Sequence, residues 1–207
     1  MKIIICEGKT EVALLYALNE KISNTYTNYK PNNIKQSITM INEDIGLINL
    51  EGKANLNGVV KNLGRTLIDK LDIEKISFIM DADDNFDAMK DSLNDRIESL
   101  KKSVPEAEYN YFILPQNDGS LGMAEDLIMD GLYKKELINV IKEEVYPKLC
   151  EYETIKNPSK TKLMIFNATQ DPQSSNASFM IENAKKLINL EDEVFENLKK
   201  FISDIVD

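Results

Sequence analysis

Four short apolar runs recur along this 207-residue chain, and each leads into a segment with apolar residues at helical spacing. The runs are KIIIC (2–6), IGLINL (45–50), KISFIM (75–80) and YNYFIL (109–114). An apolar run without alternation marks a strand covered on both faces, and strands separated by helices pair in parallel through crossovers. The helical patterns use Val12, Leu14, Leu15, Ala17, Leu18 and Ile22 after the first run, Leu56 to Leu71 after the second, and Met89, Leu93, Ile97 and Leu100 after the third. The alternation predicts an α/β fold on a mainly parallel four-stranded sheet flanked by helices. Residues 23–44 are rich in Asn, Thr and Pro and read as irregular, with a short strand near SITMI (37–41). Past the fourth run, the Gly-containing PQNDGSLG (115–122) precedes a short helix at MAEDLIMD (123–130) and a longer one from about 132 to 149. After the loop QDPQSSNAS, a terminal amphipathic helix uses Val194, Leu198, Phe201, Ile202 and Ile205. The expected organisation is an α/β domain over 1–130 with a helical C-terminal extension, 131–207, packed on it.

Composition removes several chemistries. The chain has no histidine, so Ser-His-Asp and Cys-His nucleophile pairs and His-ligated zinc are absent, and an active site must be built from carboxylates, lysines, arginines and hydroxyls. Two cysteines, Cys6 and Cys150, make neither a disulfide framework nor a thiolate cluster and suit a reduced cytoplasmic interior. No apolar run approaches the roughly 20 residues needed to cross a bilayer, so no membrane association is expected. A formal net charge of −10 argues against non-specific coating of nucleic acid, since such binders present a basic face.

The third run ends in FIMDADDNFDAM, with Asp81, Asp83, Asp84 and Asp87 close together. In an open parallel sheet, reactive groups gather beyond the carboxyl ends of the strands. Glu7 ends the first strand and Asp81 the third, so neighbouring strands would bring both to one crevice. Asp83 would point to the same side if the chain stays extended, and Glu11 lies one helical turn beyond Glu7. Crowded carboxylates repel, and a hard divalent cation such as Mg²⁺ or Mn²⁺ would neutralise them. An EF-hand loop fails, because its sixth position is Phe86 and its twelfth Ser92. A phosphate loop at Gly8-Lys9-Thr10 would need a glycine where Ile3 stands. A haloacid-dehalogenase-like phosphatase also has Asp-x-Asp after a strand, but normally after the first strand and with different downstream signals. The bland alternative is that the aspartates cap the following helix.

The pairing of IIICEGKTEVALL (3–15) with ISFIMDADDN (76–85) resembles the Toprim domain, the catalytic module of topoisomerases, bacterial primases, small ribosomal-RNA maturases and OLD-family nucleases. On that resemblance Glu7 matches the signature glutamate, Asp81 and Asp83 the Asp-x-Asp pair, and Glu11 the acidic residue that nuclease-type members carry one turn later. The likeness covers about residues 1 to 130, and it is nearest to a small stand-alone Toprim-like family. In that family a Gly-Ser/Thr-Leu-(x)-Glu-Asp-Leu segment follows the fourth strand, and a lysine-containing helical segment comes later. Here these are GSLGMAEDLI, with Glu125 and Asp126, and SKTKLMIFNAT, with Lys160 and Lys162. Gly122, Met123 and Ala124 are inserted relative to the tightest pattern, so either Glu125 or Asp126 could reach the site, and both could equally cap a helix. The resemblance implies Mg²⁺ or Mn²⁺ held by Glu7, Asp81, Asp83, Glu125 and Asp126, catalysis through Glu7, Glu11, Asp81 and Asp83, and phosphate contacts from Lys9, Lys160 and Lys162. The expected activity is a metal-dependent phosphodiesterase or nuclease, with nucleic acid as substrate and a protein partner supplying basic surface. The alternative is a non-catalytic module that binds a nucleotide or partner.

Overall fold

The structure, a computed structural model, describes residues 1–19, 27–29, 38–41, 43–63, 72–170 and 186–206. Its strands are β1 (Lys2–Cys6), β2 (Thr27–Tyr29), β3 (Ile38–Met40), β4 (Ile45–Asn49), β5 (Lys75–Asp81) and β6 (Glu108–Leu114). They form one sheet in the order β2-β3-β4-β1-β5-β6. The four apolar runs are the four parallel strands: β1 pairs with β4 from Lys2↔Ile45 to Cys6↔Asn49, and with β5 from Lys2↔Lys75 to Cys6↔Ile79. β6 continues the row beyond β5. The strand read near SITMI is β3, which pairs antiparallel with β4, while β2 adds a further antiparallel pairing outside it. β2 carried no apolar signal, because a three-residue edge strand has too few positions to show a period.

Both faces of the sheet are covered, as continuous apolar strands require. Strand period sends Ile3 and Ile5 to one face, where they join Phe78, Met80 and Ile113 beneath α2 (Leu56–Asn62) and α3 (Phe86–Lys101). Ile4 and Cys6 face the other way, with Ile79, Phe112 and Leu114, beneath α1 (Lys9–Leu18) and α4 (Ala124–Gly131). Ile22, Leu67, Ile68 and Leu71, read as helical from their spacing, lie outside the described residues, as does most of QDPQSSNAS.

The helix read from about 132 to 149 is α5 (Lys135–Val140) and α6 (Tyr146–Cys150), joined without a break by a π-helical stretch, Ile141–Val145. Pro147 sits just beyond that stretch and has no N–H to continue the α-helical ladder, which accounts for the local widening. α7 (Pro158–Ala168) follows, then a 3₁₀ turn, Glu193–Phe195, and α8 (Glu196–Val206). The boundary read at residue 130 falls at the end of α4, and residues on both sides of it share one buried cluster: Leu127 and Ile128 pack with Leu163, Phe166, Phe195, Leu198 and Ile202. Each such buried side chain contributes about 1.5–3 kcal/mol through apolar burial. Lys75, at the start of β5, donates from Nζ to the Asp204 carbonyl in the last turn of α8 at 3.0 Å, a favourable place for a cation.

Gly131 closes α4 against the turn before α8. A Cβ at this position would lie 2.2 Å from Cε2 of the fully buried Phe195, which has no room to withdraw. Gly131→Ala is therefore expected to cost about 1–3 kcal/mol by overpacking, read as a lower urea midpoint at unchanged slope. An unaltered midpoint would contradict this packing.

Candidate functional site

Because β1 and β5 are parallel neighbours, the residues leaving their carboxyl ends meet at one rim. Glu7 directly follows β1, and its N–H continues the ladder to the Ile79 carbonyl at 3.2 Å. Asp81 is the last residue of β5, and its N–H donates to Glu7 Oε2 at 3.4 Å. α1 begins at the same place. Its third residue, Glu11, turns back so that Oε2 accepts the Gly8 N–H at 2.7 Å, which satisfies one of the unpaired donors of a helix start. From across the rim, the first N–H of α4, on Ala124, donates to Asp81 Oδ1 at 2.8 Å. The next residue, Glu125, accepts from Thr10 Oγ1 at 3.1 Å through Oε1, while its Oε2 is buried without a hydrogen-bond partner. Glu11, Asp81 and Glu125 are 4, 3 and 2 % exposed.

Burial of so many acids shows in their proton affinities. Glu7 is pushed up to about 7, by burial first, then by Glu11 and Asp83, against the opposing pull of Lys53 and the Asp81 N–H. Asp81 is held well above the ordinary carboxylate range by burial and by the charges of Glu11, Glu7 and Glu125, although the Ala124 N–H favours its ionised form. Glu11 is also raised, by burial and Glu125, with the Gly8 N–H and Lys160 working the other way. The Cys6 thiol beside Glu7 is fully buried and pushed up, so it is held in its unreactive form.

The four aspartates of the third run divide their tasks. Asp81 belongs to the buried cluster. Asp83 does not continue in extended backbone: it takes φ 51°, and its N–H and carbonyl pair with the carbonyl and N–H of Gly122, each at 2.8 Å. Gly122 itself has φ 133°, and a Cβ there would meet Asp126 Oδ2 at 2.8 Å, so the bridge requires glycine. The Asp83 carboxylate pairs with the Lys53 ammonium at the mouth of the site. Asp84 is exposed and Asp87 stands in the first turn of α3, while the helix is capped by Asn85, whose Oδ1 accepts the Ala88 N–H at 2.9 Å.

Of the adjacent pair on α4, Glu125 is the one drawn into the cluster. Asp126 accepts the Met123 N–H at 3.0 Å and the Ser159 hydroxyl at 2.8 Å, which caps α4 and ties α7 to it. Lys160, exposed in the first turn of α7, lies near enough to Glu11 to influence its charge. Lys162 points elsewhere, with Nζ 5.0 Å from the centroid of the Tyr146 ring. Lys9 is exposed at the first position of α1. Lys53 was not anticipated, because it follows β4 in no recognisable motif, and only the adjacency of β4 to β1 brings it to the rim. Beside Asp83 opens a cleft of about 530 Å³, walled by Asp83, Asp84, Gly122 and Met123 on one side and by Lys156, Asn157, Pro158 and Ser159 on the other.

The polar atoms of the acid cluster are carboxylate oxygens, the atom type that hard cations take, and the buried Glu125 Oε2 has no hydrogen-bond partner. As the side chains stand, no group of three or more Cys, Asp or Glu among the described residues is arranged to hold a metal ion. Glu11 is bonded to the Gly8 N–H, and Asp83 is paired with Lys53.

A pH dependence of stability follows. Unfolded, Glu7 titrates near 4.5; folded, near 7. Between these values the folded state binds more protons, so stability falls as pH rises through the interval. The melting temperature without divalent ions is expected to be higher at pH 5 than at pH 8, and Glu7→Gln should narrow the difference. A melting temperature that climbs from pH 5 to pH 8 would contradict the burial of these acids.

None of the described helices is long and apolar enough to cross a membrane. No curated protein matches the chain. Among solved structures, the crystal structure of hypothetical protein PH0156 from Pyrococcus horikoshii OT3 is similar over 100% of this chain and 99% of that one, with 16% identity and a TM-score of 0.58. That likeness is one of fold. A family model described as "Protein of unknown function (DUF3226)" matches residues 1–207, and the chain belongs to that family.

Proposed function

We propose that this protein is a cytoplasmic Mg²⁺- or Mn²⁺-dependent phosphodiesterase of Toprim type that cleaves nucleic acid. The observation that carries the reading is the meeting of Glu7, Glu11, Asp81 and Glu125 at one rim, with a buried carboxylate oxygen of Glu125 left without a partner. Burying so many acids costs stability, and perturbed carboxylates gathered at one place are a mark of functional sites. The motif resemblance of Glu7 and Asp81-Ala82-Asp83 to Toprim nucleases supports the same conclusion.

In this reading Glu7, Asp81, Asp83 and Glu125 hold the cation, while Asp126 stays in its capping role. The bound ion supplies charge neutralisation and Lewis-acid polarisation of the phosphodiester. The chain's own residues do the rest. The Ala124 N–H fixes the Asp81 carboxylate, and Thr10 fixes one oxygen of Glu125. The cleft, within the roughly 300–1,000 Å³ typical of ligand sites, admits a strand end or loop beside Asp83. Lys156 on its wall, with Lys9 and Lys160 at the same rim, offers cations to phosphate oxygens. With a net charge of −10, further basic surface for a long nucleic acid would come from a protein partner.

One observation favours a second reading, a non-catalytic nucleotide- or partner-binding module: among the described residues no three acids stand arranged to hold a metal ion, and Asp83 is paired with Lys53. Incubation of single- and double-stranded DNA and RNA with Mg²⁺ or Mn²⁺ separates the two. Cleavage is expected, with Asp81→Asn and Asp83→Asn each lowering the rate by about 10²- to 10³-fold, the loss typical of one electrostatic stabiliser. Cleavage that persists equally in both variants would remove the catalytic reading, and ion binding without turnover would favour the module.

A further inference from the structure

Lys53 stands where a cation is needed. The turn that carries it is fastened to the end of β1: the Leu50 N–H bonds to the Cys6 carbonyl and the Gly52 N–H to the Glu7 carbonyl, each at 2.9 Å. Asn55 Nδ2 closes the turn on the Leu50 carbonyl at 2.8 Å. Across the mouth, the backbone of Asp83 is held by its two bonds to Gly122. Both backbones are anchored, but the side chains of Lys53 and Asp83 keep 41 and 30 % exposure, so rotation about side-chain bonds can join or part them. Burial works against the Lys53 charge, yet Asp83, Glu7 and Asp81 together hold its ammonium above the ordinary lysine range.

We propose that Lys53 is the resident counter-cation of the acidic rim: it pairs with Asp83 while no divalent ion is bound and gives Asp83 up when one binds. This rests on the divalent-ion reading above. An ammonium and a divalent cation repel at contact distance, so they compete for the Asp83 carboxylate. Once released, the ammonium stays on its anchored turn opposite Asp83, which lines the cleft, and is free to meet a phosphate oxygen of the substrate. Lys53 thus acts as a positioning residue with two partners, an acid in the resting protein and an anionic substrate in the loaded one.

The test uses calorimetric titration of Mn²⁺ into the full chain and into its Lys53→Met and Lys53→Arg variants. Loss of the competing ammonium should tighten ion binding in Lys53→Met by roughly two- to fivefold, the size of a part-exposed ion pair, while Lys53→Arg stays near the parent. In the parent protein, acetylation of Lys53 by an amine-reactive reagent, followed by mass spectrometry, should accelerate at saturating Mn²⁺ as the amine leaves Asp83. Unchanged or weaker binding by Lys53→Met, or labelling indifferent to the ion, would overturn the role of Lys53 alone. A parent protein that binds no divalent ion would overturn the cation reading, and this inference with it.

Discussion

The parallel pairing of β1 with β4 on one side and β5 on the other is the constraint from which the rest of the molecule follows. Three strands running the same way must end at the same rim. Glu7, Asp81 and the turn that carries Lys53 therefore emerge side by side, although long stretches of chain separate them. Had β5 run antiparallel to β1, Asp81 would lie at the opposite end of the sheet from Glu7. The apolar character of the strands enforces the arrangement, because both faces of β1 are buried and a slip by one residue would exchange the Ile3–Ile5 face with the Ile4–Cys6 face.

Around that rim the fold places charge where burial makes charge expensive. Backbone donors give partial relief: Gly8 to Glu11, Asp81 to Glu7 and Ala124 to Asp81. These bonds come from helix starts and strand ends, whose N–H groups lack partners within their own elements, so the acids and the element termini satisfy one another. The compensation is incomplete, as the raised proton affinities of Glu7, Glu11 and Asp81 and the unpartnered Glu125 Oε2 attest. A site in this condition favours protons or cations, and its preference between them is the chemistry proposed for it.

The C-terminal helices do more than cover a face of the sheet. α7 reaches the site through Ser159, which bonds to Asp126, and through Lys160, whose charge is felt by Glu11. Its approach also forms one wall of the cleft beside Asp83. Phe166 of α7 and Phe195 before α8 are fully buried in the cluster that includes Leu127 and Ile128 of α4, so the position of α4, and with it Glu125, is coupled to the packing of the chain's last third.

Much of this was legible from residue order. Continuous apolar runs alternating with helical spacing identified the four parallel strands and α1, α3, α4 and α8, because burial on two faces or on one helical stripe writes a period into the chain. Glu7 and Asp81 were legible for the same reason: an acid at the last position of a buried strand has one place to go. Other features depend on contacts between segments and leave no local trace. The choice between Glu125 and Asp126 turned on how α4 docks, since two neighbours on a helix face directions about 100° apart and only packing decides which looks inward. The turn of Asp83 away from extended backbone was set by its bridge to Gly122, and the arrival of Lys53 by strand order. Sequence alone thus determined the parallel strands, most of the helices and the acidic strand ends, through local periodicity and burial. Tertiary structure alone decided which of those acids meet in the buried cluster and which are already paired, because a carboxylate's environment is built by residues far from it in the chain.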